Sequence, residues 1–174
     1  MILSTSSLAL EMPWYALYVK THHEKLVATS LRNKGYSHFL PLYLARYRST
    51  GVSRDVLLPL FPNYVFCRFR ADKCLPIVTT PGVFQIVGAA GVPAPIDDAE
   101  ISSIEKVVGS GLSAQPWPFL RRGDRVLIEE GPLQGAEGVL CSAKGATRLV
   151  VTLTLLQRSV AVEIDRGWVR PLRR

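Results

Sequence analysis

The side chains whose type and placement first raise covalent or metal chemistry are His22 and His23, side by side, and the cysteines Cys67, Cys74 and Cys141. A catalytic or metal role for the histidines needs acidic or cysteine partners that the spacing does not supply, and the odd cysteines lack the short paired spacing of a zinc site. The histidines are read as the surface start of a helix, with Glu24 favouring its N-terminus electrostatically. Cys67, in an apolar run, is read as a small buried hydrophobe. No nucleophile, base and orienting group emerge together, so no catalytic residue, metal or cofactor is expected and the chain is not read as an enzyme. What remains is recognition chemistry. Phe61, Tyr64 and Phe66, with Trp14, Tyr15 and Phe84 close in pattern, can form an apolar groove for a partner's helical tip, with tyrosine hydroxyls bonding at the rim. Arg46, Arg48 and Arg54 suit phosphate backbone, although a solvated basic hairpin that blocks unwanted edge pairing accounts for them equally. Ordinary core packing is the competing account of the aromatic set.

The elements that must position these residues follow from periodicity. Residues 14–19 are aromatic and β-branched and predict a central strand. Residues 24–34 carry Val27, Ala28 and Leu31 at helical spacing, and Gly35 ends that helix. Residues 39–47 and 54–60 predict strands flanking a polar tip at 49–53, and residues 64–69 another apolar strand. A short helix over 72–79, a strand over 83–87 and a helix opened by Asp97 and Asp98, with Ile101, Ile104 and Val108 on one face, complete the region. The order β-α-β-β-β-α-β-α predicts an antiparallel α+β sandwich with helices over the sheet. Alternation puts Tyr64 and Phe66 on one face and Val65 and Cys67 on the other, so Val65 is expected in the core and Tyr64 and Phe66 at the recognition surface.

A second grammar occupies residues 123–138, where Gly123-Asp124, Gly131-Pro132, Gly135 and Gly138 surround a strand in which Val126 and Ile128 alternate with Arg125, Leu127 and Glu129. Gly135 and Gly138 are expected to free the backbone for tight turns, and short strands at 125–129, 138–142, 149–156, 159–164 and around Val169 predict a five-stranded SH3-like barrel. Residues 109–120 mix Gly, Ser and Pro without period and read as a linker, leaving open whether the domains tumble freely or Trp117 and Phe119 dock it. The expected organisation is an N-terminal extension over 1–13, a first domain over 14–108, the linker over 109–120 and the barrel over 121–174.

The net charge is +7, and it is shared: residues 1–110 hold 11 Lys/Arg against 8 Asp/Glu, and residues 111–174 hold 10 against 6. That favours weak steering toward nucleic acid held by a larger assembly over autonomous binding by a dense basic arm. No apolar run approaches the roughly 18–20 residues of a bilayer span. The N-terminus lacks a basic n-region, so no signal peptide is read, and the cysteine pattern fits a reducing cytoplasm.

Together, Trp14-Tyr15, Pro59-Leu60-Phe61-Pro62-Asn63-Tyr64-Val65-Phe66, Thr80-Pro81-Gly82-Val83 and the glycine pattern of the second domain resemble the NusG family of transcription elongation factors, built from an NGN domain, a linker and a KOW domain. The resemblance covers about residues 14–172. It implies a monomer whose NGN domain docks on the clamp coiled coil of the largest RNA polymerase subunit, suppresses pausing or termination, and weakly touches upstream or non-template DNA. It further implies that the KOW barrel recruits a small-subunit ribosomal protein or Rho, with Leu133, Leu155 and Leu156 as the apolar contacts. Asn63 stands where housekeeping members more often carry glycine, which resembles operon-specific RfaH-like paralogs. Lys73, Cys74 and Leu75 fall where such paralogs contact the far side of the cleft, without their His-Thr pattern. RfaH-like members raise the prospect of a barrel that refolds to helices. The β-branched run at 149–155 and the helix cost of Gly131, Pro132, Gly135, Gly138 and Gly145 predict a constitutive barrel instead. The rival reading is a ribosome- or RNA-binding KOW protein acting without polymerase.

Overall fold

The computed structural model describes residues 12–49, 51–119, 123–143 and 145–172. Apart from Met12 and Pro13, the expected N-terminal extension lies outside the described residues. Strand β1 (Trp14–Val19) leads to helix α1 (Glu24–Asn33), followed by β2 (His38–Phe39), β3 (Leu42–Ser49), β4 (Val52–Pro59) and β5 (Tyr64–Arg68). After a 3-10 turn at Ala71–Lys73 come α2 (Leu75–Val78), β6 (Val83–Ile86), the short β7 (Gly88–Ala89), β8 (Val92–Pro93) and β9 (Pro95–Ile96), then α3 (Asp98–Gly109).

The apolar spacing of α1 buries Val27, Ala28 and Leu31, and the helix ends as its residues dictate. Gly35 adopts φ 79°, its N–H bonds the Arg32 carbonyl, and the Tyr36 N–H bonds the Leu31 carbonyl. This left-handed cap satisfies carbonyls that the last helical turn leaves open. At the other end of the domain, the Asp97 carboxylate accepts from the Ala99 N–H at 2.8 Å and caps α3.

β1 is central in the sheet order β2-β5-β1-β6, with β9 also on β1 and all pairings antiparallel. Period-2 alternation divides its side chains cleanly. Tyr15, Leu17, Val19, Val65 and Cys67 pack under α1 and Ile77, while Trp14, Ala16 and Phe66 face Leu60, Phe61, Ile96 and the Ile101, Ile104 and Val107 ridge of α3. Strands β3 and β4 form a separate hairpin running from the Leu42↔Pro59 pair to the Ser49↔Val52 pair.

The second domain contains β11 (Asp124–Ile128), β12 (Glu137–Ala143), β13 (Ala146–Leu153), β14 (Arg158–Glu163) and β15 (Val169–Pro171), the five strands expected. A sixth joins them. Residues 109–120, expected to be without regular structure, contain β10 (Ala114–Trp117), which pairs with β14 and extends the sheet to β10-β14-β13-β12-β11-β15. Proline hides this strand from the sequence, because an edge strand tolerates it where a central strand would not.

Two glycines explain the barrel's tight geometry in different ways. Gly131 adopts φ 78°, and a Cβ there would also come within 2.9 Å of the Trp168 ring. Gly138 was expected to serve a turn but lies inside β12, where a Cβ would meet the Val150 carbonyl oxygen at 2.6 Å. Its role is close strand approach rather than positive φ. The barrel core of Val126, Ile128, Leu149, Leu153 and Val160 is continuous with the α3 face of the first domain.

A candidate docking face at the domain boundary

The β1–β5 register places Tyr18 opposite Tyr64, Ala16 opposite Phe66 and Trp14 opposite Arg68. Because directly opposed residues share a sheet face, rings line up across strands. Tyr18 stacks on Phe84 of β6 at 5.8 Å between centroids and 28° between planes, and meets Tyr64 at 5.6 Å. Phe84 is 65% exposed, so the row begins in solvent. Below it, Phe66 lies between Phe39 and Phe61, at 6.3 and 5.7 Å, and Arg68 sits over the Trp14 ring at 4.8 Å.

The turn that delivers Tyr64 is held by α1. Asn63 adopts φ 71°, a conformation asparagine tolerates better than most residues. Its N–H donates to the Glu24 carboxylate at 3.0 Å and its side-chain amide to the Thr21 hydroxyl at 2.9 Å. The Tyr64 N–H closes the turn on the Phe61 carbonyl at 3.1 Å. Glu24 is thus a buried carboxylate satisfied by the turn before Tyr64, beyond the favourable charge it brings to the start of α1.

Several expected site residues occupy other positions. Tyr15 belongs to the opposite face, where it is buried against Phe69 at 4.5 Å, because its side chain must alternate with Trp14. Phe61 and Phe66 are fully buried, so they form the floor of the face rather than its exposed surface, and Trp14 is buried with them. Leu133, expected to be exposed, is fully enclosed in the barrel core by the 3-10 turn Gly131–Leu133. Tyr18 was missed, although its alternation with Trp14 and Ala16 marks the same face.

On the hairpin, Arg46 pairs with Asp55 at 3.3 Å across the strands, which offsets its charge. Arg54 is exposed opposite Tyr47, and Arg48 lies opposite Ser53. His22 is exposed and His23 stands at the N-cap of α1, as expected of a helix-start pair. Lys73 ends the 3-10 turn, Cys74 stands at the N-cap position of α2 without a side-chain capping bond, and Leu75 is 69% exposed. Beside them, the Arg70 hydrogen bond holds the Asp72 carboxyl below its usual range. Cys67 is buried, and burial pushes its thiol up to about 12.

The barrel covers the end of the aromatic row away from Phe84. The Arg158 guanidinium lies 5.3 Å from the Tyr64 ring centroid, and Leu155 and Leu156, in the turn between β13 and β14, pack partly buried against the same apolar cluster. Helix α3 supplies a polar latch. The Glu100 carboxylate accepts from the Thr154 N–H at 3.1 Å and hydroxyl at 2.6 Å, Lys106 donates to the Gly135 carbonyl at 2.6 Å, and the Glu137 N–H donates to the Ser103 hydroxyl at 3.2 Å. Along this seam runs an open groove of about 690 Å³, whose Glu100 is bonded to Thr154 and whose Arg125 and Glu137 pair at 3.2 Å. Among the described residues, no cluster of His, Cys, Asp and Glu is placed to hold a metal ion.

A family model described as transcription termination factor nusG matches residues 12–105. The transcription termination/antitermination protein NusG of Thermus thermophilus is 25% identical over 177 residues, covering 90% of this chain and 96% of that protein. The protein of the same description from a Helicobacter pylori strain is 25% identical over 136 residues, covering 70% of this chain and 76% of its own length. A solved structure described as domain interaction in Thermotoga maritima NusG aligns with a TM-score of 0.54 and 19% identity, over 94% of this chain and 99% of that one, a likeness of fold.

Proposed function

Because the chain belongs to the NusG family of transcription termination and antitermination factors, we propose that it docks the Phe84–Tyr18–Tyr64 face on the clamp coiled coil of RNA polymerase. Bound there, it suppresses pausing or termination, and its barrel recruits a second partner. One observation carries this reading: an aromatic row that starts in solvent at Phe84 and runs under the barrel at Tyr64, where Arg158 covers it. A helical tip laid along that row gains apolar area and ring contacts, while the tyrosine hydroxyls bond at its edge.

The barrel occupies part of the same face, so full docking requires it to move. If only a fraction of molecules is open, the apparent affinity falls by that fraction. Loss of the Glu100–Thr154 and Arg158–Tyr64 contacts should therefore raise polymerase affinity, whereas loss of the rings should lower it. Leu155 and Leu156 become available to a partner in the same movement, which links the two binding events.

The operon-specific part of this reading is carried by the likeness at Asn63 to specialised members of the family. At φ 71° glycine and asparagine fit the same turn, so the distinguishing feature is the Asn63 amide bond to Thr21 rather than turn shape. The reading is tested by titrating polymerase with the wild type and with Tyr64→Ala, Tyr18→Ala and Phe84→Ala. Equal affinity in all four overturns it.

A further inference from the structure

We infer that residues 110–113 are the hinge on which the barrel moves and that β10 travels with the barrel, so that opening swings the second domain on a four-residue tether. The inference rests on the proposed reading in which the barrel leaves the docking face, and it adds how far the barrel goes.

β10 is built as part of the barrel. Its pairs with β14 are Ala114↔Val162, Gln115↔Ala161, Pro116↔Val160 and Trp117↔Ser159. Pairs in an antiparallel ladder alternate between hydrogen-bonded and non-hydrogen-bonded ones, and Pro116 lies in a non-hydrogen-bonded pair, so its missing N–H leaves no gap. Gln115 and Trp117 then hold the hydrogen-bonded positions. Ala114 is buried in the apolar cluster, and the Trp117 ring lies 5.2 Å from the Arg148 guanidinium. Helix α3 is built as part of the first domain. Its Ile101, Ile104 and Val107 pack with Trp14 and Phe66, its Asp98 pairs with Arg68 at 3.3 Å, and the family match to residues 12–105 includes most of the helix. The bonds from Glu100, Ser103 and Lys106 cross the seam to the barrel, so they are the ones that opening breaks.

Between these two bodies only residues 110–113 are neither helix nor strand. The Ser110 hydroxyl closes α3, donating to the Val107 carbonyl at 2.7 Å and accepting from the Leu112 N–H at 3.1 Å. Gly111 follows at φ 74° with open space where a Cβ would stand, so the left-handed conformation rather than crowding calls for glycine. Residues 111–113 also border an open groove of about 510 Å³ shared with Leu42 and Leu44 of the hairpin, which leaves room for the backbone to turn. The step from Gly109 to Ala114 covers roughly 18 Å when fully extended, whereas a chain free from Gly109 to Asp124 would cover roughly 50 Å. A partner held by the barrel therefore stays beside a polymerase-bound first domain, and the short tether keeps the effective concentration of the closing faces high.

The test uses the full-length protein without polymerase, so its outcome stands apart from whether the ring row touches polymerase. Amide hydrogen exchange by NMR follows the Glu137 N–H, which bonds Ser103 across the seam, and the Gln115 and Trp117 N–H groups of the β10 ladder. Arg158→Ala with Glu100→Ala should speed Glu137 exchange at least about 5-fold and leave Gln115 and Trp117 unchanged. Inserting Gly-Ser-Gly-Ser after Gly111 doubles the tether and should speed Glu137 exchange roughly 3-fold, because effective concentration falls as about the −3/2 power of length. With β10 free, the same insertion would lengthen a tether spanning residues 110–123 and change exchange by only about 1.5-fold. Circular dichroism verifies the fold of each variant. Gln115 and Trp117 exchange that accelerates together with Glu137, an insertion effect of about 1.5-fold or less, or unchanged Glu137 exchange in the double variant overturns the inference.

Discussion

Arg158 lies over the ring of Tyr64, its guanidinium carbon 5.3 Å from the centroid, and so a barrel cation covers a ring of the proposed docking face. An exposed cation–π contact is worth about 0.5–1 kcal/mol. Arg158→Ala should raise polymerase affinity about 2- to 5-fold by favouring the open form. Adding Glu100→Ala, which removes the acceptor of both Thr154 bonds, should raise it further. Polymerase titrations of the single and double variants check this, with small-angle scattering reporting whether the domains separate.

Glu24 ties α1 to the turn that presents Tyr64. Glu24→Ala leaves the Asn63 N–H without its acceptor, at a cost of about 1–3 kcal/mol. Thermal melting should show a drop of about 4–8 °C for each kcal/mol lost in a domain of this size. Glu24→Gln keeps an acceptor oxygen and should melt closer to the wild type.

The buried Cys67 thiol gives stability an alkaline limit. Its folded pKa is raised from 9.0 to about 12, so below 9 both states hold the proton and the group costs nothing. Above 9 the unfolded chain ionises while the folded chain does not, and stability falls by about 1.4 kcal/mol per pH unit until the folded pKa is reached. Urea unfolding at pH 8 and pH 10 should show the loss in the wild type, and Cys67→Ala should remove that contribution.

Gly138 permits β12 to approach β13. Gly138→Ala places a methyl 2.6 Å from the Val150 carbonyl oxygen, against backbone that cannot rotate away, and should destabilise the barrel by about 1–3 kcal/mol. Amide hydrogen exchange should accelerate in β12 and β13, with a smaller change in β1 and β5.

Much of this architecture is legible because local patterns carry it. The Trp14–Val19 strand declares itself by residue type, α1 by the spacing of Val27, Ala28 and Leu31, and the barrel by strands set between glycine turns. The candidate face was legible only in part. Residue type groups Tyr15 with Trp14, although alternation puts successive strand residues on opposite faces, and an apolar residue beside Gly131-Pro132 reads as a surface contact although the turn folds Leu133 into the core. Glu100 and Arg158 carry no local signal, because their roles depend on Thr154 and Tyr64, which are distant in sequence. β10 was hidden by Pro116, which weakens a strand signal without forbidding an edge strand.

The central claim is that the row formed by Phe84, Tyr18 and Tyr64 is the polymerase contact. The most direct test is titration of purified RNA polymerase with full-length protein at fixed salt, comparing wild type and Tyr64→Ala in an Arg158→Ala, Glu100→Ala background that disfavours the covered form. Circular dichroism confirms the fold of each protein. The account predicts that Tyr64→Ala costs at least about 2 kcal/mol, or roughly 30-fold in affinity, as expected of a ring at the centre of an interface. Unchanged affinity with an intact fold, or no polymerase binding by the parent protein, would contradict it.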